Sequence, residues 1–173
     1  MAETKKFSSK ILYIIYIELY KNSLQFATKY DKININEINN THREELPMTI
    51  QDMKVLICDD SMFARKKLNM TMTEFGVKEI YEATDGEEAI AKYNQYKPDV
   101  VFMDIIMPKV TGLEALKKIV EENPDAKVIM ASSVGTQGHL KEALKAGATD
   151  FLQKPITDED AKKILENIAE GVL

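Results

Sequence analysis

The sequence has a single cysteine, no long apolar run and no excess of basic charge, and each shortage excludes a class of protein. Cys58 is the only cysteine, so no intrachain disulfide can form, which is typical of a reducing compartment. The longest apolar run, residues 11–17, is far shorter than the roughly 20 residues that a membrane-spanning helix needs. With 28 Asp and Glu against 23 Lys and Arg, the chain is poorly suited to nucleic-acid phosphates. We therefore expect a cytoplasmic protein with no membrane span and no nucleic-acid partner.

Glycine is missing from the start of the chain, and the composition changes near residue 48. All seven glycines lie at or after Gly76, whereas residues 31–46 are polar and rich in asparagine. We predict an N-terminal extension at 1–47, with a helix over about 7–30 and a polar linker at 31–47, followed by a regular domain at 53–173. The extension is either upstream sequence without function or a helix that docks on the domain or on a partner.

Residues 53–173 show a regular alternation that predicts the fold. Apolar runs alternate with helical periods, and the runs lie at 54–58, 79–83, 99–103, 127–131 and 149–152. This alternation is typical of a parallel sheet with crossover helices. Helix-capping residues precede the predicted helices at Ser61, Asp85, Thr111 and Thr157. The pattern predicts an α/β protein with a flavodoxin-like, doubly wound five-stranded sheet and helices on both faces.

Polar residues stand where four of the predicted strands end. They are Asp59 and Asp60 after the first run, Asp104 after the third, Ser132 after the fourth and Lys154 after the fifth. Ligand sites in open α/β sheets form outside the carboxyl ends of the strands, so we expect these side chains to meet there.

The charges of this predicted site indicate its chemistry. Three carboxylates contribute −3 at neutral pH, and Mg²⁺ with Lys154 contributes +3, so the sum is zero. Mg²⁺ prefers oxygen ligands and commonly joins carboxylates to phosphate. A phosphoryl donor can then approach Asp104 and form an acyl phosphate, with Lys154 and Ser132 binding the phosphoryl oxygens.

These residues resemble the receiver domain of two-component response regulators, of the stand-alone chemotaxis type. The resemblance covers about 53–173 and is carried by Asp59-Asp60, the run at 103–108, Ser132 and Lys154-Pro155. It implies that a sensor histidine kinase phosphorylates Asp104. It also implies that Asp60, Asp104 and the backbone carbonyl of Ile106 bind Mg²⁺, with Asp59 acting through water, and that Ser132 and Lys154 bind the phosphoryl group.

The resemblance has further implications for structure and signalling. It implies the strand order 2-1-3-4-5, a cis Lys154–Pro155 bond and a switch made of Ser132 and Phe151. The signal would leave through the fourth helix, fifth strand and fifth helix, roughly residues 136–170. Such a protein accepts a phosphoryl group in a Mg²⁺-dependent, self-catalysed step and is not a conventional enzyme. Because no output domain follows the fifth helix, we expect output from this face or from residues 1–52.

Simpler interpretations and other functions compete with this one. Taken alone, the pair Asp59-Asp60 is also explained as a helix cap, and Lys154 as a solvated surface charge. Ser133 is an alternative to Ser132 as the residue that binds the phosphoryl group. The downstream target is a flagellar switch or a similar protein, or else a histidine phosphotransfer protein in a phosphorelay. A phosphatase or nucleotide enzyme is disfavoured because Gly-x-Gly-x-x-Gly and Walker motifs are absent from the sequence.

The apolar residues Ile106 and Val134 predict a long-lived phosphorylated state. They flank the expected path of the attacking water, and receivers with polar or acidic residues there tend to lose phosphate faster. We expect slow self-dephosphorylation, with the lifetime set by a phosphatase partner. A half-life of only seconds for the purified phosphoprotein would contradict this expectation.

Overall fold

After a short 3₁₀ helix at Ile50–Asp52, five strands and five α-helices alternate along the part of the chain that the computed structural model describes, residues 48–133 and 137–173. The helix predicted over about 7–30 and the linker at 31–47 lie outside the described residues. The elements in chain order are β1 (Lys54–Cys58), α1 (Met62–Glu74), β2 (Glu79–Ala83), α2 (Gly86–Tyr96), β3 (Val100–Asp104), α3 (Gly112–Glu122), β4 (Val128–Ser132), α4 (Gln137–Lys145), β5 (Asp150–Gln153) and α5 (Asp158–Ala169).

The strands form one parallel sheet in the order β2-β1-β3-β4-β5, as predicted. The chain therefore moves outward from β1 in one direction and then crosses back to β3 on its other side. This reversal is the topological switch point at which doubly wound sheets place their ligands. The carboxyl ends of β1 and β3, the two strands that flank it, carry the predicted acidic residues.

Three strands begin and end one residue later than the apolar runs that predicted them. Near their starts, polar side chains accept hydrogen bonds from backbone N–H groups of neighbouring strands. The Asp99 carboxylate accepts from Lys54 N at 2.7 Å, and Thr149 Oγ1 accepts from Val128 N at 3.1 Å. At their end, the backbone ladder continues into polar residues, since Asp104 pairs with Ala131 and Ser132 with Gln153. The site residues Asp104 and Ser132 are thus held by the sheet itself.

The sheet is buried on both faces, and neighbouring residues of each strand face opposite layers. On one face, Leu56 and Met103 pack among residues of α2, α3 and α4. On the other face, Ile57 and Phe102 pack among residues of α1 and α5. Because both faces are covered, the inner strands are apolar throughout rather than alternating. No helix within the described ranges has the length and apolar character needed to cross a lipid bilayer.

The predicted N-caps are present at four helices. The side chains of Ser61, Asp85, Thr111 and Thr157 each accept a hydrogen bond from a backbone N–H in the first turn of the helix that follows. At α3, Thr111 and Glu114 form a reciprocal capping box. These caps fix where each helix starts, and therefore how the chain leaves the carboxyl ends of the strands.

Asp85 also joins two loops beside the acidic residues. Its carboxylate accepts hydrogen bonds from Glu88 N at 2.8 Å and from Lys109 Nζ at 2.5 Å. Lys109 belongs to the loop between β3 and α3, and Gly86 N donates to Val110 O of the same loop at 3.0 Å. The hydrogen bond from Glu88 N, and then that from Lys109, hold the pKa of Asp85 below its usual value.

Replacing Asp85 by alanine is expected to lower the free energy of unfolding by about 1–2 kcal/mol at pH 7, the cost of losing an N-cap. Because its pKa is lowered in the folded state, Asp85 stabilises the fold above the usual aspartate range near ~3.9, and this is lost as the pH falls through its folded-state value. Urea unfolding of wild type and Asp85→Ala from pH 7 to pH 3 measures both. A difference that stays constant over this range would contradict the assignment.

A candidate acidic metal centre at the carboxyl edge of the sheet

Three carboxylates meet at the switch point of the sheet. Asp59 and Asp60 follow β1, Asp104 is the last residue of β3, and one oxygen atom from each lies within 4.8 Å of the others. Asp59 and Asp104 are buried, with relative exposures of 6% and 8%, whereas Asp60 is exposed. Close carboxylate oxygens that are open to solvent on one side can hold a metal ion. The structure thus brings together the three acidic residues that the sequence singled out.

Lys154 reaches this cluster from the end of β5. Its Nζ lies 2.5 Å from Asp59 Oδ2 and 2.9 Å from Asp104 Oδ2, and its side chain is only 15% exposed. Its backbone N–H donates to Ser132 O at 2.9 Å, and its bond to Pro155 is cis, as predicted. One ammonium group beside three carboxylates leaves a formal charge of −2, which suits a divalent cation.

The buried positions shift the pKa values of this pair. Burial raises the pKa of Asp104, and the hydrogen bond from Lys154 offsets only part of that rise. For Lys154, burial lowers the pKa, but hydrogen bonds to Asp59 and Asp104 outweigh it, so the pKa lies above its usual value. Lys154 is therefore charged at neutral pH, and its charge keeps the pKa of Asp104 lower than burial alone would.

Backbone groups complete the surroundings of the carboxylates. Ser61 N donates to Asp59 Oδ1 at 2.9 Å, and Ile106 N donates to the carboxylate of Asp104. Ile106 lies two residues beyond Asp104, and its side chain is 58% exposed. Gly112 N donates to Ile105 O at 3.0 Å and brings the start of α3 against the end of β3. A Cβ atom on Gly112 would lie 1.8 Å from Asp104 O, so only glycine fits there.

The two predicted switch residues lie on adjacent strands. Ser132 is the last residue of β4 and is buried, at 1% exposure. Phe151 is on β5, pairs with Met130 and packs, half-buried, against the core layer of α2, α3 and α4. Ser133, the rival for the role of Ser132, is exposed. Val134, which the sequence placed beside the water path, lies outside the described residues.

A cavity of about 440 Å³ opens beside the cluster. It is lined by Asp59, Asp104, Ser133 and Lys154, and it continues over apolar residues of α1 and of the segment after β5, including Phe63 and Ile156. Phe63 is 79% exposed at the start of α1. Two of the three carboxylates, those of Asp59 and Asp104, therefore border a cavity whose other walls are largely apolar.

Arg65 is a contact residue that the sequence interpretation missed. It lies in the second turn of α1, and its guanidinium donates to the main chain of both Asp59 and Asp60. Its position about one helical turn after Asp59-Asp60 was the feature of the sequence that could have indicated this contact. Nothing in the apolar periodicity distinguishes it from the neighbouring Lys66 and Lys67.

The fold and the site together define a doubly wound α/β protein with a cluster of three carboxylates and one lysine at its switch point. The model of the response regulator receiver domain matches residues 55–166, and the chain belongs to this family of two-component signalling proteins. Several of its curated relatives are the chemotaxis protein CheY.

Two curated relatives and one solved structure illustrate the similarity. The chemotaxis protein CheY of Thermotoga maritima is 42% identical over 117 residues, which are 68% of this chain and 98% of the relative. CheY of Listeria monocytogenes is 42% identical over 118 residues, 68% of this chain and 99% of the relative. The Borrelia burgdorferi structure of a CheX–CheY–BeF3–Mg complex matches with a TM-score of 0.62 and 37% identity, over 70% of this chain and 90% of that chain.

Proposed function

We propose that this protein is a chemotaxis-type response regulator that a sensor histidine kinase activates by phosphorylating Asp104. The observation that carries the proposal is the contact of Lys154 Nζ with both Asp59 and Asp104 inside a cluster of three carboxylates. An ordinary surface ion pair joins one base to one acid, whereas here one lysine contacts two buried carboxylates and a third carboxylate lies beside them. The CheY relatives, which align over nearly their whole length, support the same role.

In the proposed reaction, a carboxylate oxygen of Asp104 attacks the phosphorus of a phosphohistidine. The new O–P bond forms as the P–N bond breaks, and the imidazole nitrogen leaves with the bonding electrons and takes up a proton from solvent. Lys154, already 2.9 Å from Asp104 Oδ2, would stay close enough to bind a phosphoryl oxygen. The hydroxyl of Ser132, at the end of β4, would donate a hydrogen bond to another phosphoryl oxygen.

Mg²⁺ is the cation that we propose for the cluster. Asp60, Asp104 and the carbonyl of Ile106 would be its ligands, and Asp59 would act through water while it remains paired with Lys154. When bound, Mg²⁺ neutralises charge on the phosphoryl oxygens as a Lewis acid. A CheY relative crystallised with BeF3 and magnesium supports this choice over a transition metal, as does the all-oxygen donor set.

The signal would leave through the face formed by α4, β5 and α5. Phosphorylation adds charge at the ends of β3 and β4, and Ser132 with Phe151 would carry this to the face by favouring one of two conformations. The target would be a flagellar switch or a similar protein. A pull-down with the phosphorylated and unphosphorylated chain tests this, and recovery of a histidine phosphotransfer protein instead would indicate a phosphorelay.

Labelling with a small phosphodonor tests the phosphorylation itself. The full chain is incubated with acetyl phosphate and Mg²⁺, and its intact mass is measured with and without EDTA. We expect one added phosphoryl group with Mg²⁺ and none with EDTA, and we expect the modified peptide to contain Asp104. Labelling on another residue, or labelling that EDTA leaves unchanged, would contradict the proposal.

Replacing Lys154 by methionine is expected to slow phosphoryl incorporation by about 100-fold, the cost of removing one donor from a site where charge develops. Methionine fills similar space but leaves the two buried carboxylates of Asp59 and Asp104 without their ammonium partner. The rate is followed by intact mass at saturating Mg²⁺. Lys163→Met, at an exposed position of α5, removes the same charge and should label at the wild-type rate. Equal rates for the two variants would remove Lys154 from the site.

A further inference from the structure

Arg65 of α1 connects the acidic loop to β2 through one partly buried guanidinium. Nη1 donates to Asp59 O at 2.8 Å and to Asp60 O at 3.2 Å. Nε donates to Glu82 Oε2 of β2 at 3.1 Å. The Arg65 side chain is only 12% exposed, so its contact with the main chain of Asp59 is partly shielded from water, whereas Asp60 is exposed.

The two carbonyl groups that Arg65 binds lie where the chain changes from strand to helix. Asp59 N still donates to Ala83 O at 3.1 Å as the last ladder bond between β1 and β2, and α1 begins at Met62. Between these points the carbonyl of the buried residue Asp59 needs a partner from elsewhere, because an unpaired buried carbonyl is costly. Arg65 supplies that partner and also donates to the carbonyl of Asp60, which is exposed.

Arg65 is itself held in place on its far side. Glu82 accepts from Arg65 with one carboxylate oxygen and from Asn69 Nδ2, at 2.8 Å, with the other. Asn69 lies one turn after Arg65 on α1, so the helix and β2 together orient the guanidinium. A planar fork that donates in two directions can do this, whereas the single ammonium group of lysine cannot.

We propose that Arg65 is a positioning residue that sets the cation affinity of the cluster. By fixing the main chain of Asp59 and Asp60, it holds their carboxylates toward Asp104 before the cation arrives. Partners that orient metal ligands without touching the metal typically change affinity by about 10–100-fold when they are removed. This inference rests on the proposed role of the cluster as a Mg²⁺ site, and it extends that role to a residue that touches neither the cation nor the phosphoryl group.

Calorimetric titration of the full chain with MgCl2 measures the predicted effect without any phosphorylation. Arg65→Met is expected to weaken Mg²⁺ binding by about 10–100-fold, and Arg65→Lys by an amount in between, because lysine keeps the charge but not the fork. Lys66→Met is the matched control, since it removes the same charge from an exposed neighbouring position of α1. Its affinity should stay within about twofold of wild type, because exposed charges are well screened.

Folding and affinity are separated by a second measurement. Urea unfolding in EDTA gives the stability of each variant without the cation, and titrations are made where each variant is folded. If Arg65→Met is unfolded, the comparison of Arg65→Lys with Lys66→Met decides the question.

The outcomes distinguish this inference from the proposed function. A stable Arg65 variant that binds Mg²⁺ as tightly as Lys66→Met would overturn the positioning role, even if the fold had lost stability. A wild-type chain that binds no Mg²⁺ would instead refute the cation site itself. Arg65→Met should also regain the wild-type rate of labelling by acetyl phosphate at high Mg²⁺ concentration. A positioning defect raises the Mg²⁺ concentration needed for half-maximal rate more than it lowers the maximal rate.

Discussion

Asp104→Asn is expected to abolish phosphoryl incorporation from acetyl phosphate while leaving a folded protein. The amide has nearly the shape of the carboxylate but is a poor nucleophile, so the O–P bond cannot form at this position. Intact mass after incubation with Mg²⁺ measures the loss. Asp125→Asn, an identical change at an exposed position, should label as wild type does. Labelling of Asp104→Asn at the wild-type rate would show that another residue is the acceptor.

The same variant makes a prediction about stability that separates loss of the acceptor from loss of the fold. Burial raises the pKa of Asp104, and Lys154 offsets only part of the rise. A carboxyl group whose pKa is raised on folding stabilises the fold below its unfolded value and loses that stabilisation as the pH rises through its folded value. Above its unfolded-state pKa the carboxyl group therefore opposes folding, and an amide does not. Asp104→Asn should unfold in EDTA at the wild-type temperature or above.

Much of the fold could be predicted because its determinants are local. A buried parallel strand is a short apolar run, and a helix start is a residue such as Asp85 or Thr111 that caps the first turn. The strand order came from the resemblance to receivers rather than from periodicity. The starts of β3 and β5 were missed by one residue, at Asp99 and Thr149, whose side chains accept hydrogen bonds from the neighbouring strands; an apolar pattern cannot show such bonds.

The candidate site was predicted in its residues but not in its supports. Asp59, Asp60, Asp104 and Lys154 stand at strand ends, and parallel strands end at one edge, so topology alone brings them together. Contacts between side chains of different helices, strands and loops could not be predicted in this way. Arg65 binds β2 through Glu82, and Lys109 binds the cap of α2 through Asp85. Such pairs depend on which of several similar surface charges happens to face a partner, and sequence spacing does not contain that information.

Gly112→Ala is expected to cost about 3 kcal/mol or more of unfolding free energy, at the upper end of overpacking in a rigid interior. The added Cβ would lie 1.8 Å from Asp104 O and 2.9 Å from its carbonyl carbon. Both are main-chain atoms. They cannot move aside easily, because Asp104 is paired with Ala131 in the sheet. Either α3 or the end of β3 must therefore move. Urea unfolding gives the cost, and labelling by acetyl phosphate shows whether the acceptor moved with it.

Gly171→Ala separates this collision from the general cost of replacing a glycine. Gly171 has a φ of +68°, and a Cβ there would meet nothing within 4 Å. Its replacement should cost only the left-handed backbone strain, about 1–2 kcal/mol, and leave labelling unchanged. Equal losses at the two positions would mean that the end of β3 yields to the methyl group. If Gly112→Ala is destabilised and labels slowly even where it is folded, the spacing of α3 from β3 is part of what places the acceptor carboxylate.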